Sequence, residues 1–350
     1  KSTPPPSLIV ALAQVLHVDT QYFFHNPQMQ IEWVAYRKHS RLNKHHQEEI
    51  QGYCVDVANL QIELRRLLYP QDSVHFLAPQ NIHKIDDAEI LAETLRKEWG
   101  LGDLPIENLT HLAESKGIII IKWIKNNIHF DGLSGWCEDN PISVLNTATS
   151  IDRRRFSLAH EIAHLLMKTD ESISDKASES FANRFAGAFL VPKDVVYHEL
   201  GRKRNHIMLH ELGSLKKRYG LSISAWIYRA KDLGVISDDL TQTLWQEMAR
   251  LNWRHIEPSQ YDYIAHEEPT LLEQMCFRAV AEGLKLPQDV QQILPHITFE
   301  TDAIPQGEFP TPSQLLAMPE EERQKWMKVS FELANDVECE QFDAFGEAYF

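Results

Sequence analysis

The residues RRRFSLAHEIAHLLM at 153–167 limit the fold of this chain more than any other stretch. Their apolar side chains recur at helical spacing, which predicts a buried helix with Asp152 as its N-cap. His160 and His164 are four residues apart, so they share one face of that helix and can direct both imidazoles at one point. Glu161 lies about 100° further round the helix axis. A buried helix needs a reason to carry three such polar side chains.

Binding of a metal ion supplies that reason. Two histidines and a glutamate buried without partners would cost several kcal/mol. The spacing H-E-x-x-H gives a zinc ion two neutral nitrogen ligands and places the carboxylate of Glu161 within reach of a water molecule on the ion. The alternative is that these side chains are ordinary polar residues in a crowded core. We therefore expect Zn²⁺ as the cofactor and Glu161 as a general base.

A catalytic zinc site needs a third protein ligand and one open position. The downstream candidates are Glu171, Asp175 and Glu179. Glu171 falls in the turn that should follow the metal helix. Glu179 falls within a second apolar helix predicted at 175–192, on the same face as Asn183. We prefer Glu179 as the third ligand, with Glu171 and Asp175 as alternatives.

Hydrophobic periodicity around these two helices predicts a mainly helical chain with a short β-rich part. Strands are expected at 117–124, in LSGWCED and in PISVLNT at 141–147. Further helices are expected at 6–24 in two short pieces, 48–70, 86–101 with Asp86 or Asp87 as N-cap, 106–117, two in 206–234 and two in 269–295. The predicted fold class is α+β, mainly helical, with a small β-sheet beside the H-E-x-x-H helix. If 141–147 forms an edge strand near the metal, an extended substrate could pair with it.

The segment RRRFSLAHEIAHLLM followed by ESFANRFAGAFLVP resembles the ImmA/IrrE-type zinc metallopeptidase family. The resemblance extends upstream to GLSGWCEDNPISVLN and downstream to LGSLKKRYGLSISAWIYRAKDLG, and so covers about residues 85–240. It implies a zincin-like metallopeptidase core in which His160, His164 and Glu179 bind zinc and Glu161 is the general base. The usual E-x-E-A form of the family has a second acid where this chain has Phe181, which leaves Glu179 as the acid of that motif.

The resemblance also implies the reaction, which is hydrolysis of a peptide bond in a regulatory protein such as a repressor or an antitoxin. A group that stabilises the oxyanion is expected, and His206, His210 and Tyr228 are candidates. Each of them also fits a partly exposed polar residue without a catalytic role. The alternative function is a transcriptional regulator or antitoxin-type binding protein whose zinc fold is a sensor or scaffold without proteolysis.

The start of the chain resembles a different family. PPPSLIVALAQVLHVDTQYFF is similar to the end of an XRE-type helix-turn-helix domain, and no recognition helix precedes it. We therefore assign residues 1–36 to the incomplete end of such a domain and 37–84 to a helical linker. Because the first residue is Lys1 rather than Met, we expect a preceding piece. DNA binding is expected through a complete N-terminal domain.

The other end of the chain divides into two parts. Residues 241–302 are expected to be a helical C-terminal extension of the metallopeptidase core at 85–240. Residues 303–350 begin with the Pro-rich linker AIPQGEFPTPSQ and continue as an acidic, helical tail with an aromatic terminus. This tail is similar to small antitoxin proteins, which suggests a toxin as a partner, although a solvated helical appendage fits it equally well.

Composition and charge limit the compartment and the kinds of partner to be expected for this chain. The net charge of −15 argues against non-specific binding to nucleic acids. The longest uniformly apolar runs are far shorter than the ~20 residues of a membrane-spanning helix, and the start lacks the pattern of a signal peptide. The four cysteines form no C-x-x-C pair, which suits a reducing compartment. We expect a cytoplasmic protein without membrane contact.

Overall fold

The computed structural model describes residues 5–16, 20, 30–34, 44–71, 76–123, 132–170, 172–264, 267–299, 318–320 and 322–326. The chain forms two compact units, Lys1–Ile297 and Thr298–Phe350. The predicted acidic tail, the second short element of 6–24 and Glu171 lie largely or wholly outside the described residues. The elements below all belong to the first unit.

Helices dominate the described part of the first unit, which confirms the predicted α+β, mainly helical class. None of them is both long enough and apolar enough to cross a membrane. They are α1 Pro6–Leu16, α2 Lys44–Leu68, α3 Ile85–Glu98, α4 Leu109–Ser115, α5 Ile151–Leu166, α6 Asp175–Leu190, α7 Lys193–Leu200, α8 Leu209–Tyr219, α9 Ile223–Asp232, α10 Asp238–Arg250, α11 Leu271–Ala281 and α12 Pro287–Ile293.

The strands form two small sheets. They are β1 Ile31–Trp33, β2 Gln80–Ile82, β3 Ile119–Trp123, β4 Gly132–Cys137, β5 Asn140–Asn146 and β6 Met167–Thr169. The larger sheet has the order β1-β4-β5-β3, in which β4 is antiparallel to both of its neighbours and β3 is parallel to β5. β2 and β6 form a parallel pair. The three predicted strands are therefore confirmed as neighbours in one mixed sheet.

The expectation that 141–147 is an edge strand is wrong. β5 pairs with β4 on one side and with β3 on the other, so both of its edges are occupied. An extended ligand therefore cannot pair with β5 as an added strand.

The core of the site region consists of α5 packed between the sheet and α6. α5 buries Leu158, Ala159, Ile162, Ala163, Leu165 and Leu166, as its periodicity predicted. α6 packs against it with Phe181, Phe185 and Phe189. Burial of each of these side chains contributes about 2 kcal/mol to the stability of the fold. The rings of Phe185 and Phe189 stack 5.7 Å apart. This packing fixes the two helices side by side.

Two predicted N-caps are shifted along the chain. The N-cap position of α5 is Ser150, and Asp152 lies in the first turn. A carboxylate in the first turn interacts favourably with the helix dipole. α3 is capped by Lys84, and the carboxylate of Asp87 accepts hydrogen bonds from the backbone N–H groups of His83 and Lys84 at 3.0 and 3.1 Å. The predicted acidic residues therefore lie in the first turns of these helices and not at the N-cap positions.

A buried ion pair holds the start of α5. The guanidinium of Arg155 is 1 % exposed and pairs with the carboxylate of Glu267. It also donates to the carbonyl of Ile106 at 2.7 Å and lies over the ring of Tyr263, with the guanidinium carbon 4.6 Å from the ring centroid. Glu267 in turn accepts from the backbone N–H groups of Leu109 and Thr110 at 3.1 and 3.0 Å, so it also caps α4.

The Arg155 side chain depends on a glycine beside it. Gly220 ends α8 with φ of +64°, and a Cβ there would lie 2.5 Å from Nε of Arg155. We expect Gly220→Ala to lower the free energy of unfolding by about 2–5 kcal/mol, which combines the left-handed backbone cost with overpacking against the guanidinium. Urea denaturation measures this loss.

Gly234 provides the matched control. It follows α9 with a φ of +69°, and a Cβ there would meet nothing within 4 Å. Gly234→Ala should therefore cost the backbone term alone, about 1–2 kcal/mol. Equal losses in the two variants would contradict the close contact between Gly220 and Arg155.

Candidate active site

α5 and α6 bring three potential metal ligands together. His160 and His164 project from α5, and Glu179 projects from α6. The two Nε2 atoms of the histidines are 3.1 Å apart. The Nε2 of His160 lies 3.2 Å from one oxygen of Glu179, and the Nε2 of His164 lies 3.5 Å from the other. Within the described residues, these three form the cluster of histidine and carboxylate groups that could hold an ion.

These spacings fit one zinc ion. Ligand atoms at about 2.05 Å from a tetrahedral zinc are separated from one another by about 3.3 Å. The histidine nitrogens are 3.1 Å apart, each lies 3.2 or 3.5 Å from a different oxygen of Glu179, and one ligand atom from each residue lies within 4.8 Å of the others. Two imidazole nitrogens and a carboxylate are also the donor set of zinc sites that keep a fourth position open. The residues present therefore fit a catalytic zinc ion.

Asn183 orients one of the histidines. Its side-chain oxygen lies 3.0 Å from Nδ1 of His160, one helical turn after Glu179 on α6. Because an amide oxygen accepts, this contact favours a proton on Nδ1 of His160, which would leave Nε2 for a metal ion. That is the tautomer a metal needs, and such second-sphere hydrogen bonds hold a ligand ring in place.

The electrostatics of the cluster also favour a cation. Burial lowers the pKa of His160, but the hydrogen bond with Glu179 and the charges of Glu161 and Glu179 outweigh it and raise this pKa above its ordinary value. Burial raises the pKa of Glu179, yet hydrogen bonds from His160 and His164 hold it well below its usual range. The carboxylate is thus charged at neutral pH, and a metal ion would replace a proton between these groups.

Glu161 lies on the sheet side of α5 and not in the ligand cluster. It is 2 % exposed, and its Oε2 accepts a hydrogen bond of 2.7 Å from the hydroxyl of Ser134 on β4. Gly132, two residues earlier on β4, leaves room for the same side chain, because a Cβ at 132 would lie 2.9 Å from both Cγ and Oε1 of Glu161. β4 therefore positions the carboxylate of Glu161, with its Oε2 hydrogen-bonded to Ser134.

Ser134 and Gly132 are site residues that the sequence reasoning missed. Both belong to the segment GLSGWC, which was recognised as a strand. The available signal was the pair of small residues at alternate positions, since these face one side of a strand. Nothing local indicated that this side would meet Glu161.

A large cleft lies beside Asn183. Its volume is about 1440 Å³, and it is lined by Asn183, whose side-chain oxygen contacts His160, but by none of the three candidate ligands. One wall is formed by α5 and α6 through Phe156 and Gly187, and the other by α9 with Tyr228 and by residues 251–262. The cleft therefore approaches the ligand cluster through Asn183.

The other predicted site residues lie at varied positions. Tyr228 lines the cleft, is 58 % exposed and packs on the ring of Trp245. His210 is exposed, and its Nδ1 lies 2.6 Å from the hydroxyl of Tyr261. His206 is exposed near Arg204, which donates to its carbonyl at 3.2 Å. Asp175 begins α6 one turn before Glu179 and is not part of the three-residue cluster.

Comparison with protein families agrees with this arrangement. A helix with H-E-x-x-H, a carboxylate from the next helix and a small sheet behind them are features expected of a metal-dependent hydrolase. Residues 113–231 match the family model of Peptidase M78, the IrrE N-terminal-like domain. The match contains all of β3 to α6 and supports a relationship to the ImmA/IrrE-type family and to metallopeptidases. No curated protein matches the chain.

The contact between Gly132 and Glu161 predicts a coupling between two substitutions. Gly132→Ala should lower the free energy of unfolding by about 1–3 kcal/mol, because the new Cβ meets Cγ and Oε1 of Glu161. In a Glu161→Ala background the same change should cost less, since only the carbonyl of Val144, at 3.1 Å, remains in its way. Urea denaturation of the four proteins gives the coupling free energy. An identical loss of unfolding free energy in both backgrounds would mean that the side chain of Glu161 does not lie against Gly132.

Proposed function

We propose that this chain is a zinc-dependent endopeptidase that cleaves a regulatory protein partner of the repressor or antitoxin type. The observation that carries the proposal is the convergence of His160, His164 and Glu179 at separations of 3.1 to 3.5 Å. It lies within the residues that match a peptidase family. The same match does not favour the alternative of a binding protein whose zinc fold is only a sensor or scaffold.

In this proposal each side chain has one task. His160, His164 and Glu179 would hold the zinc ion, and Asn183 would hold the ring of His160. Bound zinc supplies a Lewis acid that polarises the scissile carbonyl and lowers the pKa of water. Glu161 takes the proton of the attacking water and later gives it to the leaving amine.

Ser134 positions Glu161 for this proton transfer. Its hydroxyl engages Oε2 at 2.7 Å, which leaves Oε1 as the oxygen that exchanges protons. Gly132 keeps the space beside Oε1 free of a side chain. The serine therefore acts through Glu161 and does not contact the reacting atoms itself.

The substrate would be a polypeptide that reaches the ligand cluster along the adjoining cleft. Tyr228 lines that cleft, which supports it over His206 and His210 as a group that contacts the substrate or the oxyanion. We further propose that DNA is bound through a complete N-terminal domain and that the acidic tail at 303–350 binds a toxin. These two partners rest on sequence resemblance alone.

The ligand assignment predicts a graded effect of substitutions on zinc binding. Wild type and Glu161→Gln should bind about one zinc ion with equal affinity, because Glu161 is not a ligand. Asn183→Ala should weaken binding by about 10–100-fold through loss of a second-sphere partner, and Glu179→Ala should weaken it further. Elemental analysis gives the stoichiometry, and competition with a chromophoric chelator gives the affinities. Zinc binding by Glu179→Ala as tight as by wild type would move the third ligand to Asp175 or Glu171.

The base assignment predicts the effect of substitutions on hydrolysis. Glu161→Gln should lower kcat by about 10²–10⁴-fold while zinc stays bound. Ser134→Ala should lower kcat by about tenfold with little change in KM, because a misoriented base affects the chemical step more than substrate binding. Cleavage of a proteome-derived peptide library, read by mass spectrometry, supplies a peptide on which both constants are measured.

Ser143 is the matched control for Ser134. It lies directly opposite Ser134 on β5 and is equally buried. Ser143→Ala should leave kcat within about twofold of wild type. The hydroxyl of Ser143 is buried in the same sheet but makes no hydrogen bond with Glu161. Equal loss of kcat in the two alanine variants would show that Ser134 has no specific role.

A further inference from the structure

The two helices that carry the candidate ligands lie side by side and antiparallel. Nδ1 of His160 on α5 lies 3.0 Å from the side-chain oxygen of Asn183 on α6. One turn later on α5, Nε2 of His164 lies 3.5 Å from Glu179, which is one turn earlier on α6. A step backwards along α5 is therefore matched by a step forwards along α6.

The matching step away from the ligand cluster leads to Phe156 and Gly187. Phe156 precedes His160 by one turn, Gly187 follows Asn183 by one turn, and both line the cleft. Residues four apart share one face of a helix. Phe156 and Gly187 therefore lie in the same groove as the ligand cluster, about 5.4 Å further along it.

Gly187 leaves open space in the floor of this groove. It lies in the interior of α6, where glycine is a poorer helix former than alanine. A Cβ at this position would meet, in the described part of the chain, only Cδ of Arg229 within 4 Å, at 3.4 Å. Packing between the helices thus does not require a glycine here. Its effect is a space over the backbone of α6 that a side chain would otherwise fill.

α9 forms the other side of this space. Ala225, Tyr228 and Arg229 share one face of α9, and all three line the cleft. Ala225 is half-buried and small, and the ring of Tyr228 is 58 % exposed. We call the part of the cleft between Phe156, Gly187, Ala225 and Tyr228 the Gly187 pocket. Its two rings are apolar surface that a ligand can cover.

The charged side chains beside this pocket are already paired. Arg229 forms a bidentate pair with the carboxylate of Glu89. Arg184 pairs with Glu89 at 2.7 Å and with Asp232 at 3.2 Å. Two guanidinium groups thus balance two carboxylates. A charged ligand group would lose its hydration here without meeting an uncompensated counter-charge, whereas an apolar group would gain from burial.

We propose that the Gly187 pocket is a specificity site that takes one large apolar side chain of the polypeptide substrate, such as leucine, methionine or phenylalanine. This proposal rests on the proposed function. The pocket lies about 5.4 Å along the groove from the ligand cluster, and an extended chain advances about 3.3 Å per residue. The side chain over Gly187 therefore belongs to a residue within about two positions of the scissile bond.

Substitutions that fill the pocket test the proposal. Gly187→Leu fills it from α6, and Ala225→Leu fills it from α9. The proteome-derived peptide library is digested with the zinc-loaded full-length proteins, and mass spectrometry gives the residue frequencies around each scissile bond. Wild type should prefer large apolar residues at one position within two residues of that bond. Both variants should replace this preference by one for glycine and alanine at the same position.

Two synthetic peptides that differ only in leucine or alanine at that position give the size of the effect. The ratio of kcat/KM for the leucine peptide to that for the alanine peptide should fall at least about tenfold from wild type to Gly187→Leu. Gly187→Ala should lower it by about 2–5-fold, since one methyl group fills the space only in part. The urea midpoint of Gly187→Ala should not fall, because alanine is the better helix former.

Gly52→Ala is the matched control. Gly52 lies in the interior of α2, a Cβ there would meet nothing within 4 Å, and it does not line the cleft. The same change of residue should therefore leave the leucine-to-alanine ratio at its wild-type value. Zinc content and urea midpoints of all variants show that each protein is folded.

The possible results separate this proposal from the function on which it rests. A wild-type profile without an apolar preference would overturn the proposal. So would an unchanged leucine-to-alanine ratio in both Gly187→Leu and Ala225→Leu with wild-type zinc content, while the proposed function would stand. Wild type that binds no zinc or cleaves no peptide would overturn the proposed function, and the specificity site with it.

Discussion

The buried pair of Arg155 and Glu267 holds the start of α5, the helix that carries the candidate metal ligands His160 and His164. Arg155 is on α5, five residues before His160, and its guanidinium joins this helix to the loop before α4, to the end of α8 and to Glu267. A buried charge that loses its partner costs several kcal/mol, so the start of α5 has one stable position. His160, Glu161 and His164 inherit that position. Their geometry is therefore fixed by an ion pair outside the site, before any metal or substrate is bound.

The site divides its work between two supports. The candidate ligands come from α5 and α6, which are held together by apolar packing, and the ring of His160 contacts the side-chain oxygen of Asn183 on α6. The candidate base lies about 100° from His160 round the axis of α5 and is supported by β4 through Ser134. In the proposed function, metal affinity and proton transfer would therefore depend on different neighbours.

Local sequence was sufficient for most helices and for the proximity of His160 and His164, but not for long-range pairing. α5 and α6 were predicted because their periodicity and the i, i+4 histidines are local, and Glu179 was preferred as a ligand because it lies in the second helix and the family resemblance implies it. The edge position of β5 was predicted wrongly, since strand order depends on which strand pairs with β3 and no local pattern encodes that. β1, β2 and β6 have three residues each, too short to show a period. The pairing of Arg155 with Glu267 joins residues more than a hundred positions apart, which is equally invisible in a local window.

Residues 251–268 have a consequence for where the folding unit ends. They lie beyond the residues that match the peptidase family, yet Glu267 neutralises Arg155, and Glu257 accepts a hydrogen bond of 2.9 Å from the buried ammonium of Lys216. Glu257 also receives the backbone N–H groups at the start of α9, at 3.1 Å each. A fragment cut at the limit of recognisable similarity would keep both cations in its interior and lose these counter-charges. The folding unit that buries Arg155 and Lys216 therefore extends beyond the residues that match the family model.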